Sequence, residues 1–575
     1  MLSHGLTMAK KNKYADWTKE DLLKRIAALE KHRYGLVWED KQEDVAEQCE
    51  RELPVLHEDI SREIKSGDGL PYNILIEGDN YHSLYTLSFT HKRKIDVIYI
   101  DPPYNTGNKS CRYNNNYIEK EDPFRHSKWL SFMNKRLQLA KYLLRDTGII
   151  LVTIDDYEIS PLTMLMNKIF GEQNHLGTII IVNKAEGRTD DEFIATSHEY
   201  MLVYGKNSSR AVINGLAFTD EEFYDKFPLK DKISSYRLKP LRRGGTNSRR
   251  VDRPNLFYPI YYDPKTKKIS LEKFQFSKEI LPIDQKNVER VWQWGKQTFL
   301  EGMNTEIVIV ENLNSRFGFE VHRKVRERDT KKVTSVWNSP KYNAAAHGTK
   351  LLEKILNKNR TFEYPKSIYS TLDALKISTD KNSLILDFFA GSGTTGHAVL
   401  ELNKQDGGKR QFILCTNNEN NICEEVTYPR IKKVIKGYNC NKPIPANLKY
   451  FKTEFVPQII TDNDKRVLVS RSTELLCLAE NTFELVKQSK RKVEFAIYRN
   501  QKQLTAIIYD EDAIEKCKEE LEALKPEEKT VIYVFSYDHE YNVEDYDDLT
   551  IRFDVKPIPE AILNVYRKNS KLRRK

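Results

Sequence analysis

The feature that most restricts what this chain can fold into is the run IDVIYIDPPYNTG, residues 95–107. Its apolar stretch, rich in Ile and Val, reads as a strand covered on both faces, and two prolines then stop it abruptly. An acidic residue, Asp101, therefore stands at the carboxyl end of a core strand, the edge at which open α/β sheets bind their ligands. Pro102 and Pro103 cannot continue the ladder and hold a rigid turn. The Asp101 carboxylate, the Pro102 carbonyl and the Tyr104 ring can then face one small volume.

Two hydrogen-bond acceptors beside an aromatic ring suit a planar group that carries an exocyclic amine, such as adenine or cytosine. The acceptors take the amino hydrogens and leave the nitrogen lone pair available, while the ring stacks. An ordinary turn at a strand end is the plain alternative, and the rest of the chain has to decide between them.

Strand and helix patterns alternate around this motif. NILIEGDNYHSLYTL at 73–87 is a strand followed by a helical start, with Asp79 and Asn80 either supplying a second strand-end carboxylate or capping the helix. RHSKWLSFMNKRLQLAKYLL at 125–144 is an amphipathic helix of crossover length, and GIILVTID at 148–155 returns as a buried strand ending in Asp155 and Asp156. TIIIVNK at 178–184 and HEYMLVYGK at 198–206 read as two more strands. This alternation predicts βαβ units and a parallel sheet.

The grammar changes between 207 and 345, where short strand-like pieces, turns and clustered arginines take over. The densest basic stretch, RLKPLRRGGTNSRRVDRPN, carries Arg242, Arg243, Arg249, Arg250 and Arg253 around Gly244-Gly245. Arginine forks match phosphate and guanine edges, so nucleic-acid contact is one reading and a solvated loop the other. Alternation resumes at 383–403 in SLILDFFAGSGTTGHAVLELN: a strand, a turn with Gly391, Gly393 and Gly396, and a helix. G-x-G-x-x-G in that setting suits a nucleotide-like cofactor, because glycine lets the backbone approach it and the helix start offers free amides. No Lys follows in the phosphate-loop position. The next strand, QFILCTNNE at 411–419, has Thr416 as the first position past its apolar run, where an acidic ribose contact is expected, with Glu419 a little beyond. Lys366, after Pro365, is a cation able to hold a carboxylate.

Bulk properties add limits. A chain of 575 residues needs several structural units, and 39% hydrophobic with 31% charged residues describes a globular protein with a charged surface. The apolar runs fall short of the roughly 20 residues a membrane-spanning helix needs, and the N-terminus lacks a signal-peptide core, so a cytoplasmic location is expected. Seven cysteines without a CxxC pair indicate reduced thiols, and no metal site is expected. A net charge of +10 is compatible with a polyanion partner. Near the N-terminus, Thr18 and Asp21 mark a helix start, and Leu22, Leu23, Ile26 and Leu29 form an apolar face whose expected cover is the body of the same chain, with a second copy as the alternative. Residues 451–575 read as strands and a charged helix, an interaction or stabilising module.

Taken together, DPPYNTG, DFFAGSGTTG and the basic region between them resemble the amino-group DNA methyltransferases that use S-adenosylmethionine, in the motif order called the β group. GDNYHSLYTL, RHSKWLSFM, IDDYE and FEYPKS extend the likeness across most of residues 12–420, and it is strongest toward the modification (Mod) subunits of type III restriction–modification systems. The resemblance implies a site-specific adenine-N6 DNA methyltransferase on a Rossmann-like α/β sheet built from two separated segments. An inserted target-recognition region and a small C-terminal α+β domain complete it. It divides the chain into an N-terminal helical segment (1–70), a catalytic half (71–206), the recognition region (207–345), a cofactor half (346–450) and the C-terminal module (451–575). Asp101, Pro102, Pro103 and Tyr104 are the implied catalytic turn. Asp387, Phe388, Phe389, Ala390, Gly391, Ser392, Gly393 and Thr394, with Asp79 and Lys366 at the border, are the implied S-adenosyl-L-methionine site. The arginines of the basic loop are the implied contacts to double-stranded DNA, and a homodimer with a restriction endonuclease partner is the implied assembly. Cytosine N4, or an amine on RNA or protein, remains open as the alternative substrate.

Overall fold

The computed structural model describes residues 17–31, 38, 43–67, 69–106, 123–189, 191–359, 362–457, 459, 461–489, 493–500, 502–524, 529–536 and 543–573. Gly107 at the end of the DPPYNTG motif, Cys111 and the first sixteen residues lie outside this set. The chain forms two compact units: residues 1–214 with 334–575, and an inserted unit, Gly215–Val333.

The first unit is built on a ten-stranded sheet. Its strands in chain order are β1 (Glu52–Glu58), β2 (Tyr72–Glu77), β3 (Ile95–Ile100), β4 (Leu144–Ile154), β5 (His175–Val182), β6 (His198–Gly205), β7 (Val336–Trp337), β8 (Leu384–Asp387), β9 (Gln411–Thr416) and β10 (Asn447–Pro457). Their spatial order is β1-β10-β2-β9-β8-β3-β4-β6-β5-β7. The six strands from β10 to β4 run parallel, β6 is antiparallel to both β4 and β5, and β1 closes the other edge antiparallel to β10.

Continuous apolar runs make these strands because both faces are covered. Val97, Ile98 and Ile100 of β3, and Ile149 through Val152 of β4, are buried. Helices Asn80–Thr90, Arg125–Leu143 and Ile159–Phe170 follow β2, β3 and β4, and helix Thr394–Asp406 joins β8 to β9. Helix Asn80–Thr90 is buried all round, as a helix packed on both sides must be. One side of it meets the sheet, and the other meets the C-terminal region, whose Leu475, Leu476, Tyr533, Ile562 and Tyr566 share its hydrophobic core.

The C-terminal region carries its own five-stranded mixed sheet, Glu484–Gln488, Phe495–Arg499, Leu504–Ile508, Thr530–Phe535 and Phe553–Ile558, with helix Ile514–Leu524 against it. Tyr566 anchors it to the body, donating its hydroxyl to the Pro54 carbonyl at 2.8 Å and accepting Tyr85 Oη on its own carbonyl at 3.0 Å.

The inserted unit has its own small core around Tyr258, Trp292 and Phe299, and its longest sheet is the antiparallel set Ile307–Glu311, Phe319–Arg326, Ser235–Pro240 and Leu229–Lys230. Its limits are narrower than the change of sequence pattern at 207 and 345. Asn214 N donates to Ile377 O at 2.8 Å, and β7 pairs in parallel with β5, so both flanks belong to the first unit.

At the N-terminus, Thr18 and Asp21 hydrogen-bond each other's backbone N–H at 3.1–3.2 Å and start the helix Lys19–Lys31 as the sequence indicates. The body does not cover its apolar face: Leu22, Leu23 and Ile26 are 38%, 55% and 51% exposed. No helix among the described residues is long and apolar enough to cross a membrane.

Candidate active site

Strands β3 and β8 lie side by side in parallel, with Val97 opposite Ile385 and Ile98 opposite Leu386. The D-P-P-Y turn and the glycine turn therefore leave the sheet at the same carboxyl edge from neighbouring strands. Beyond β8 the chain winds toward β9, and beyond β3 toward β4, so the two turns flank the point where the winding changes direction, the usual ligand crevice of such sheets.

Asp101 is held by residues from two other segments. Its Oδ1 accepts Thr153 Oγ1 of β4 at 2.6 Å and lies 3.1 Å from Lys366 Nζ. Lys366 also pairs with Glu199 Oε2 of β6 at 2.6 Å and donates to the Tyr104 hydroxyl. Glu199 in turn accepts Asn183 Nδ2 at 3.0 Å. Side-chain exposure is 4% for Glu199, 12% for Lys366 and 29% for Asp101, so of the three it is Asp101 that opens toward a ligand. Burial alone pulls the Lys366 ammonium down, but the Asp101 and Glu199 carboxylates outweigh it and hold the group above its ordinary value. Burial and the same two carboxylates keep the Tyr104 phenol protonated.

Backbone geometry fixes the turn. Trp129 Nε1 donates to the Pro103 carbonyl at 2.7 Å. Asn105 adopts the left-handed region (φ 58°), and its side chain donates to the fully buried Glu158, which also meets His126 Nδ1 at 2.7 Å. Burial pushes the neighbouring Asp155, at the end of β4, up to about 7.

The glycine turn is organised by Asp387. Its carboxylate accepts Phe389 N at 2.9 Å and Thr395 Oγ1 at 2.5 Å, and burial, with a smaller push from Asp101, raises it to about 7. Phe388, Phe389 and Ala390 are buried. Gly391 and Gly393 take φ of 49° and 77°, conformations that side chains resist, and Gly393 caps the helix that starts at Thr394. Ser392 and Thr394 do not offer their hydroxyls outward: Arg430 Nη1 holds them at 3.0 and 2.8 Å from beneath. That guanidinium is fully buried, and burial lowers it to about 9. Thr427 Oγ1 ties down the Gly391 carbonyl at 2.6 Å. The loop thus presents backbone, as a cradle for a nucleotide-like ligand should.

Next to it, at the end of β9, the buried Thr416 Oγ1 and Asn417 Oδ1 have no protein partner. These atoms fit the hydroxyls and ring nitrogens of an adenosine-type cofactor. Asp79 stands on the adjoining strand end, where Gly78 N bonds Thr416 O at 3.0 Å; it caps its helix through Tyr81 N at 2.7 Å and lies 3.5 Å from Arg136 Nη2. Lys366 is placed on Asp101 rather than on the glycine turn.

The arginines of the basic loop fall in the inserted unit. Arg242 Nη1 is spent on the Ile283 carbonyl at 2.8 Å, while Arg250 pairs with Glu289 at 3.2 Å and lies 4.3 Å over the Phe257 ring. Arg249 and Arg253 are exposed and Arg243 is half-buried.

Three contributors escaped sequence reasoning. Thr153 and Glu199 read as ordinary strand residues, and only the register, with β6 antiparallel to β4, brings them to Asp101. Arg430 sits in an amphipathic helix, Tyr428–Lys436, where an arginine reads as surface charge.

The fold and its two adjoining turns are those of an α/β sheet that brings an Asp-Pro-Pro-Tyr turn and a glycine turn to one carboxyl edge. A sequence profile described as N6_N4_Mtase, DNA methylase, matches residues 95–427. Type II methyltransferase M.KpnI of Klebsiella pneumoniae is 40% identical over 349 residues, covering 59% of this chain and 79% of the relative. The type III restriction-modification enzyme EcoPI Mod subunit of Escherichia phage P1 is 31% identical over 447 residues (71% and 68%), and the EcoP15I Mod subunit of Escherichia coli is 29% identical over 489 residues (74% and 71%). This chain belongs to the N6/N4 DNA methylase family, and S-adenosyl-L-methionine is its methyl donor.

Proposed function

We propose that the protein methylates the N6 amine of adenine at specific sites in duplex DNA, as the modification subunit of a type III-like restriction–modification system. The observation that carries this reading is the junction of β3 and β8, which sets the Asp101 carboxylate and the glycine cradle at adjoining strand ends. Names of the relatives support the system: two of the three given above are Mod subunits of type III enzymes. A restriction endonuclease partner, a homodimer and a cytoplasmic location belong to the same reading.

Residues 387–394, with Thr416 and Asn417 beside them, would hold the cofactor. Bound there, S-adenosyl-L-methionine supplies an electrophilic methyl group. The chain's own residues do the rest by alignment. Asp101, its Oδ1 held by Thr153, accepts a hydrogen bond from the target amine, and the Pro102 carbonyl accepts the other. The nitrogen lone pair is thereby left for attack. Tyr104 stacks on the base, which has to leave the duplex to reach the pocket. In the inserted unit, Arg243, Arg249 and Arg253 are the side chains assigned to phosphate or base contact, with Arg242 and Arg250 bracing the loop.

The test is mass analysis of nucleosides from unmethylated plasmid incubated with the enzyme and cofactor. N6-methyladenine is expected, and Asp101→Ala should lower its formation by about a thousandfold while leaving cofactor binding within a few-fold. Methylated cytosine alone, or an unimpaired Asp101→Ala enzyme, would overturn the reading.

A further inference from the structure

One arrangement goes beyond substrate recognition. The oxygen of Asp101 that lies 3.1 Å from Lys366 Nζ belongs to the carboxylate the proposed reading assigns to the target amine. Oδ1 already accepts Thr153 Oγ1 at 2.6 Å as well as the Lys366 ammonium, so an exocyclic amine directed at that oxygen has to displace the lysine. Lys366 has a second carboxylate to fall back on: Glu199, at 2.6 Å and 4% exposed. Asn183 holds that carboxylate in place, and its backbone leads from β5 into the same edge of the sheet. A buried lysine released from Asp101 without Glu199 would be left as an unpaired interior charge, which is strongly unfavourable.

We propose that Lys366 and Glu199 are paired positioning residues that tune entry of the target base: Lys366 occupies the amine site of Asp101 when no base is present, and Glu199 retains its ammonium when the base arrives. The exchange balances in hydrogen bonds. The Lys366 to Asp101 contact is given up, an amine to Asp101 contact is gained, and the Lys366 to Glu199 pair persists through both states. Lys366 donates to the Tyr104 hydroxyl and its Nζ lies 4.6 Å from the centre of the same ring, so the lysine is tied to both residues that the base would meet.

This inference rests on the reading of Asp101 as the acceptor for a base amine, and its variants give opposite signs that general damage does not. Glu199→Gln leaves Lys366 with Asp101 as its sole carboxylate; the Michaelis constant for DNA should rise about tenfold with cofactor affinity unchanged. Lys366→Met removes the competitor, so that constant should fall, with cofactor affinity unchanged. In the double variant the DNA constant should return toward the wild-type value. If Lys366→Met raises the DNA constant as Glu199→Gln does, or the double variant is no better than Glu199→Gln alone, the proposal is overturned. A wild-type protein that methylates no DNA would instead defeat the underlying reading, which separates the two failures.

Discussion

At the scale of single residues, the two aspartates of the adjoining turns stand in different surroundings. Asp101 is partly open and clasped by a cation, whereas Asp387 is buried with neutral donors only. Unfolded, an aspartate titrates near about 4; folded, Asp387 titrates at about 7. Between those values the folded chain binds the proton more tightly than the unfolded chain. Stability from this group is therefore full below about pH 4, declines as the pH climbs, and is lost above about 7. Asp387→Asn should flatten that decline, raising the stability at pH 8 relative to pH 5 by on the order of a few kcal/mol and the melting temperature with it, while weakening cofactor binding. Melting curves of both proteins at the two pH values check it; parallel pH dependences would show that Asp387 is not the group responsible. Asp387 was visible in the sequence because a polar residue that closes an apolar run before glycines is a local pattern. Glu199 was not, since its role depends on a lysine from a distant segment and on strand register, neither of which a window of sequence contains.

Among elements, the segment that delivers Lys366 is as tightly specified as the turn it serves. Ser367 caps helix Ile368–Ser378 by accepting Tyr369 N at 3.3 Å, and Ser367 Oγ donates to Lys341 O at 2.8 Å. On the other side Gly348, in the wide π-type turn Ala345–Thr349, backs against the Pro365 and Lys366 carbonyls. A methyl group there would overlap the Pro365 oxygen, and a backbone atom cannot swing aside as a side-chain tip can. Gly348→Ala should therefore shift Lys366, cut methyl transfer and cost about 1–3 kcal/mol of stability. Wild-type activity in a variant of unchanged melting temperature would show that the segment has slack. The strand and helix elements of the sheet were legible from their apolar periods and from Pro and Gly punctuation. Edge strand β1 and its neighbour β10 were not, because their mixed composition, as in Glu52–Glu58, carries no strong period until a partner strand is known.

On the scale of the whole molecule, the C-terminal region is part of the body rather than an appendage. It shields helix Asn80–Thr90, and its Tyr533, Ile562 and Tyr566 share one core with β2 and β3. A chain ended after Pro457 exposes that surface and should be recovered mainly insoluble; a soluble truncated protein that melts like the full chain would contradict this. The order of strands carries a further consequence. β8 and β9 sit between β2 and β3, yet they are encoded far downstream, beyond the inserted unit. While a ribosome is still making residues 101–383, β2 and β3 wait with unsatisfied edges on either side of a gap two strands wide. At ordinary synthesis rates that interval lasts on the order of tens of seconds. The nascent chain thus has a built-in period of exposure to chaperones, and no partly made copy can mark DNA before its middle strands arrive.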